Sequence, residues 1–207
     1  MEAQENKIPK RIIYCWFGGK DKPENVQACM KTWKEYMPDW EYIEINEDNF
    51  DINNNKFAKE AYENKKWAFV SDVARLWGLY TYGGIYMDTD VTVFKPLDKF
   101  LIHECFTGFE SPHYPIAAVM GSTKNNEFIK ELLSLYDNKT FEVKDNWYEY
   151  ETNTMLLGTA IGKYIDRDKN IYQESPQIVV YPRKVFTGND DNDGTEYTRH
   201  NMFGSWG

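Results

Sequence analysis

At 207 residues, 42% hydrophobic and 16% aromatic, the chain is long enough to bury a proper core and reads as one domain over 1–207. A formal net charge of −9 argues against nucleic acid and anionic lipid as partners. Three cysteines without a Cys-x-x-Cys spacing argue against a disulfide framework or a zinc site and fit a reducing compartment.

Residues 11–16 predict a strand, ended by a turn at Gly18-Gly19. Pro23 and Glu24 open a helix that runs to about Tyr36, and residues 40–45 predict a second strand. A polar loop over 48–55 and a short helix over 57–63 follow. The strongest helical pattern lies over 67–82. It is apolar nearly all round through Trp67, Phe69, Val70, Val73, Leu76, Trp77 and Tyr80, so this helix is expected to be mostly buried. Asp72 and Arg75 interrupt it at i, i+3 on one face, and Gly83-Gly84 end it. Strands are expected at 85–87 and 91–94, and further on at 107–110 and 117–121. Helices over 126–136 and about 154–164, a late strand at 178–181 and a turn-rich loop over 188–194 complete the order. Helices alternating with short strands predict an α/β sandwich. No apolar run reaches the ~18 residues of a membrane span, and the polar residues 1–7 give no expectation of a signal peptide. A cytoplasmic location is expected, with peripheral attachment to a membrane complex left open.

Chemistry concentrates in Tyr82-Gly83-Gly84-Ile85-Tyr86-Met87-Asp88-Thr89-Asp90-Val91. Along a strand, side chains alternate, so Asp88 and Asp90 are expected to point the same way. Two hard oxygen ligands together suit Mg²⁺ or Mn²⁺, and such an ion can hold a diphosphate on an acidic protein. Asp72 and Arg75 are charges inside an apolar helix, and burying them unpaired is expensive. They pair structurally or contact a ligand, with Asp72 accepting from sugar hydroxyls and the Arg75 fork binding a sugar or phosphate oxygen. Trp16 precedes a Gly-Gly turn where backbone can approach a ligand, so its indole is a candidate to stack on a nucleobase. The end of the chain, from His200-Asn201 to Ser205-Trp206, is aromatic, glycine-spaced and ligand-capable, and it suggests a docking segment or flap over the site.

Three stretches resemble glycosyltransferase family 32. They are Ile8-Pro9-Lys10 with Tyr14-Cys15-Trp16-Phe17-Gly18-Gly19, the run from Ser71-Asp72 through Arg75 to Asp88-x-Asp90-Val91, and the closing Gly204-Ser205-Trp206. The match runs in order from about residue 8 to 206, and the large clostridial glucosylating toxins share its central motif. The resemblance implies a GT-A-type nucleotide-sugar-binding fold, with a mixed central sheet flanked by helices. It implies metal-dependent, retaining transfer of a hexose from a nucleotide sugar to a glycan acceptor, as in polysaccharide biosynthesis. A UDP-hexose is the favoured donor, with GDP-mannose as the second choice. By the match, Trp16 stacks on the base, and Asp72 and Arg75 hold the donor sugar. Tyr86 and Asp88 contact ribose, phosphate or sugar, Asp90 ligates the metal directly, and Ser205 and Trp206 lie near the diphosphate. Where many relatives carry a second His, this chain has Asn201, so the third metal ligand falls to the Asn201 amide oxygen or to His200. Ile13 replaces another common His, and Thr152-Asn153-Thr154 replaces a Thr-Gly-Pro on the acceptor side.

Two other classes fit parts of the pattern. Asp88-Thr89-Asp90-Val91-Thr92 matches the Asp-x-Asp-x-Thr of haloacid-dehalogenase-type phosphohydrolases, although there the first Asp closes the first strand. A catalytically silent nucleotide-sugar-binding subunit would bind donor and metal without turnover.

Overall fold

The computed structural model describes residues 5–111, 113–115, 118–146, 149–188 and 193–204. In its sheet, β1 (Arg11–Cys15) pairs in parallel with the edge strand β2 (Glu41–Ile45) on one side and with β3 (Gly84–Met87) on the other. The sheet continues from β3 to β7 (Val119–Ser122), β5 (Cys105–Ser111), β9 (Val179–Tyr181) and β8 (Gln173–Glu174), and the two-residue β6 (Tyr114–Pro115) adds to β5. Only β7, β8 and β6 run against the rest, so the sheet is mixed, as the resemblance implied. The carboxyl ends of β1, β2, β3, β5 and β9 therefore share one edge. In open α/β sheets that edge is where ligands bind.

Alternation along the strands feeds two cores. Ile13, Cys15 and Tyr86 enter a cluster with α3 (Trp67–Tyr82), α2 (Lys56–Glu63), α4 (Glu127–Ser134) and α5 (Asn153–Ile161). Ile12, Ile85 and Met87 point the other way, toward α1 (Glu24–Tyr36), β4 (Val91–Val93) and α6 (Arg183–Phe186). Since β3 is covered on both faces, all four of its residues are buried.

α3 occupies the predicted span, and its buried residues run from Val70 to Leu79 with few gaps. Gly83 caps it at φ +66, its N–H bonded to the Leu79 carbonyl. Gly84 turns the chain into β3 at φ +132, and a Cβ there would stand 2.7 Å from the Arg11 carbonyl oxygen. Only glycine allows both the backbone angle and this approach of β3 to β1.

Several elements differ from the sequence expectations. The polar loop over 48–55 contains a single 3₁₀ turn, Ile52–Asn54, capped by the Asp51 side chain. β5 starts two residues earlier than expected, and α5 ends at Ile161. Residue 117, the expected start of a strand, and residues 189–192 of the expected loop lie outside the described residues. β10 (Thr198–His200) was expected only as part of a docking segment. It is a strand, antiparallel to β4, with His200 opposite Val91. Among the described residues no helix is long and apolar enough to cross a membrane.

Candidate active site

The site forms where β3 leaves the sheet. Asp88-Thr89-Asp90 is a turn rather than a continued strand, closed by the Val91 N–H on the Asp88 carbonyl at 3.0 Å. The expected convergence of the two aspartates occurs, but it comes from this turn and not from strand alternation. β10 then brings His200 alongside. One ligand atom each from Asp88, Asp90 and His200 lie within 4.8 Å of one another. Two carboxylate oxygens and one imidazole nitrogen this close together could hold a divalent metal ion.

The turn is tightly held. Asp90 Oδ2 accepts the Phe203 N–H at 3.0 Å, and Asp90 Oδ1 lies 3.3 Å from His200 Nε2. Burial pushes the Asp90 carboxyl up, but its bonds to His200 and Phe203 outweigh this and hold it below the usual range. For His200, burial pushes the imidazole down. The flanking carboxylates of Asp90 and Glu110, with the charge of Asp88, outweigh that and raise it to about 10. Asn201 directs its amide nitrogen to the Asp90 carbonyl at 2.7 Å and to the Thr92 hydroxyl at 2.9 Å. That side chain tethers the end of β10 to β4.

α3 supplies the other wall. Asp72 and Arg75 stand one turn apart, 8% and 7% exposed, so the i, i+3 spacing delivers both to one place. Arg75 Nη2 is 3.4 Å from Asp72 Oδ1 and 3.2 Å from Asp88 Oδ1, so one guanidinium bridges the helix and the aspartate turn. Asn153, at the start of α5, donates to Asp72 Oδ1 at 3.0 Å. Burial raises the Asp72 carboxyl to about 6, against the opposing pull of Arg75 and Asn153.

Tyr86 differs from its expected role. It is fully buried, its ring lies under the Arg75 guanidinium at 4.6 Å, and its hydroxyl donates to Asp88 Oδ1 at 2.7 Å. With no exposed surface to offer a donor, it sits behind Asp88 and fixes that carboxylate. Trp16 leaves β1 at the same sheet edge, 8% exposed, its Nε1 donating to the Lys20 carbonyl at 2.7 Å. It borders a cavity of about 630 Å³ that Lys22, Glu44, Asn46 and Asp48 also line. Ser205 and Trp206 lie outside the described residues.

Two site residues carried no sequence signal. Asn153 lies within the Thr152-Asn153-Thr154 departure but had no assigned role, and its Oδ1 is buried without a hydrogen-bond partner. Glu110 is the penultimate residue of a largely apolar strand with no motif around it, yet its Oε1 lies 3.4 Å from His200 Nδ1. The other two histidines, His103 and His113, bond to Tyr181 and Asp168.

Residues 23–107 match the family model described as the glycosyltransferase sugar-binding region containing the DXD motif. That span holds Asp72, Arg75, Asp88 and Asp90. Inositol phosphoceramide mannosyltransferase 3 of Schizosaccharomyces pombe is 28% identical over 134 residues. The match takes in 63% of this chain and 37% of that protein, so the chain spans little over a third of the relative's length. Among solved structures, the PaToxG glycosyltransferase superposes with a TM-score of 0.58 at 20% identity, over 75% of this chain and 69% of that one. A glycosyltransferase involved in glycosylation of the major capsid of PBCV-1 superposes with a TM-score of 0.53 at 13% identity, over 94% of each chain. At these identities the likeness speaks for the fold. Residues 23–107 thus carry the sugar-binding region of the DXD-motif glycosyltransferases, set on a GT-A-type fold.

Proposed function

We propose that the chain is a metal-dependent, retaining hexosyltransferase that takes a nucleotide sugar, a UDP-hexose first and GDP-mannose second, and glycosylates a glycan acceptor. The observation that carries this reading is the convergence of Asp88, Asp90 and His200 beside the Asp72–Arg75 pair. Asp88, Asp90 and His200 would hold Mn²⁺ or Mg²⁺, with Asp90 the innermost carboxylate. A bound divalent cation would neutralise charge that builds on the departing diphosphate. Asn201 is read as a tether in place of a ligand, because its amide nitrogen is bonded to the turn that carries Asp90. Asp72 accepts hydrogen bonds from donor-sugar hydroxyls, and Arg75 donates to sugar or phosphate oxygens while bridging to Asp88. Tyr86 acts through Asp88. Trp16, which borders the 630 Å³ cavity, would stack on the base. Ser205 and Trp206 are assigned, on the resemblance alone, to the diphosphate side of a closing segment.

The mannosyltransferase relative brings mannose forward among the hexoses. We place the chain in the cytoplasm, free or peripheral to a membrane, in a polysaccharide pathway, and treat 1–207 as one catalytic unit. Cys15, Cys29 and Cys105 are buried and free, as a reducing compartment allows. Against the phosphohydrolase stand the match of residues 23–107 to the sugar-binding region and the GT-A-type fold.

The test is a panel of UDP- and GDP-sugars incubated with Mn²⁺ or with EDTA, followed by the anomeric configuration of the released sugar. Metal-dependent hydrolysis of one donor with retained configuration is expected. Inverted configuration would remove the retaining assignment, and equal turnover in EDTA the metal. Binding without any turnover, even with glycan acceptors, would favour a silent donor-binding subunit.

A further inference from the structure

His200 stands between two carboxylates on opposite sides of its ring. Nε2 faces Asp90 at 3.3 Å, and Nδ1 faces Glu110 at 3.4 Å. Nδ1 is fully buried and completes no hydrogen bond, so Glu110 is the acceptor it faces. A shift of a few tenths of an ångström would close the bond, and an orphaned buried N–H is costly enough to favour it. Glu110 is itself fixed from two directions. Its carbonyl accepts from Arg183 Nε at 2.9 Å, and its Oε2 accepts from the Thr154 hydroxyl at 3.5 Å. Glu110 is absent from the group of ligand atoms that Asp88, Asp90 and His200 form within 4.8 Å, so it stands one layer behind them.

An imidazole ligates a metal through a nitrogen that carries no proton, and the partner of the other nitrogen decides which one that is. We propose that Glu110 is a positioning residue of the metal site, accepting the His200 Nδ1–H so that the Nε2 lone pair faces a divalent cation together with Asp88 and Asp90. The proposal rests on the metal-binding reading given above. It assigns to the end of β5 a role that reaches the cation only through β10. Without Glu110 the ring is free to turn or to take the other tautomer, and the third ligand is lost.

The experiment is Mn²⁺ binding to the whole chain without donor, followed by the paramagnetic resonance signal of free Mn²⁺. Glu110→Leu is expected to weaken Mn²⁺ binding 10–100-fold, the usual range for losing such a partner. Glu110→Gln keeps an oxygen that accepts the same N–H and should recover most of the affinity. In a His200→Ala background, Glu110→Leu should change affinity less than about twofold, because its route to the metal is gone. Circular dichroism confirms folding, and if the leucine variant does not fold, Glu110→Ala takes its place. Wild-type affinity in Glu110→Leu overturns the proposal while leaving the metal reading intact. Full additivity with His200→Ala also overturns it, since Glu110 would then act independently. If the wild-type chain binds no Mn²⁺, both readings fall together.

Discussion

Replacing Asp72 by Asn should separate stability from function. Asp72 is 8% exposed on a helix whose neighbouring residues are buried. Burial is the dominant influence and raises its carboxyl from an ordinary 3.8 to about 6, although Arg75 and the Asn153 amide pull the other way. The folded protein therefore holds this proton more tightly than the unfolded chain. Below about pH 4 both states are protonated and the group is neutral in its effect. Between about pH 4 and 6 the unfolded chain releases the proton first, so native stability falls as pH rises, and above about 6 the loss is complete. At about 1.4 kcal/mol per tenfold in proton affinity, the ionised carboxylate costs the fold about 3 kcal/mol at neutral pH.

Asn keeps the shape and can still accept the Asn153 Nδ2–H, but it brings no charge into the interior. Asp72→Asn should therefore be more stable than wild type at pH 7 by up to about 3 kcal/mol. Tm should rise several degrees, at ~2–4 °C per kcal/mol for a chain of this size. The gain should shrink toward zero near pH 4. Urea unfolding across pH 4–8, without donor or metal, measures it. Donor hydrolysis by the same variant should be lost, as expected where a site residue is kept at the expense of stability. A less stable variant at pH 7, or a gain that does not change with pH, would refute the reasoning. In that case the bond to Arg75 outweighs desolvation, and Asp72 and Arg75 form a structural pair.

Asp90→Asn should abolish metal-dependent turnover and weaken Mn²⁺ binding while the fold persists, and full activity in that variant would remove Asp90 from the metal site. Trp16→Ala should weaken nucleotide binding by ~1–3 kcal/mol, the usual worth of base–aromatic stacking. Calorimetry with UDP and GDP checks this, and unchanged affinity for both would leave the indole a packing residue. Gly84→Ala should destabilise by at least ~1–3 kcal/mol, because φ +132 is strained for alanine and its Cβ would meet the Arg11 carbonyl at 2.7 Å. Chemical denaturation measures the loss, and wild-type stability would mean that β1 and β3 separate freely.

What the sequence showed depended on how local the cause was. α3 was readable to the residue because its burial pattern and its glycine cap lie within one continuous stretch. β1, α1 and β2 followed for the same reason. β10 was not readable, because Thr198–His200 becomes a strand only through pairing with Val91–Val93, more than a hundred residues earlier. The short β6, β8 and α6 also have too few residues to show a period and depend on the sheet edges they join.

The site divides along the same line. Asp72 and Arg75 were legible as charges in an apolar helix, and Asp88 and Asp90 as a pair after a strand, although their convergence needed a turn that strand alternation does not predict. Tyr86 was placed on the donor by resemblance. The continuous apolar run Ile85-Tyr86-Met87 is the pattern of a strand covered on both faces, and read that way it would have put the phenol in the core. Glu110 and Asn153 had no local mark, since one carboxylate at a strand end and one amide at a helix start are commonplace. Their meaning comes from the neighbours that the fold supplies, His200 for one and Asp72 for the other. Residues that touch a ligand tend to sit in motifs because the ligand fixes their spacing. Residues that hold those residues are fixed only by the fold, and they become visible only when β5, β10 and α5 have been brought to the same edge of the sheet.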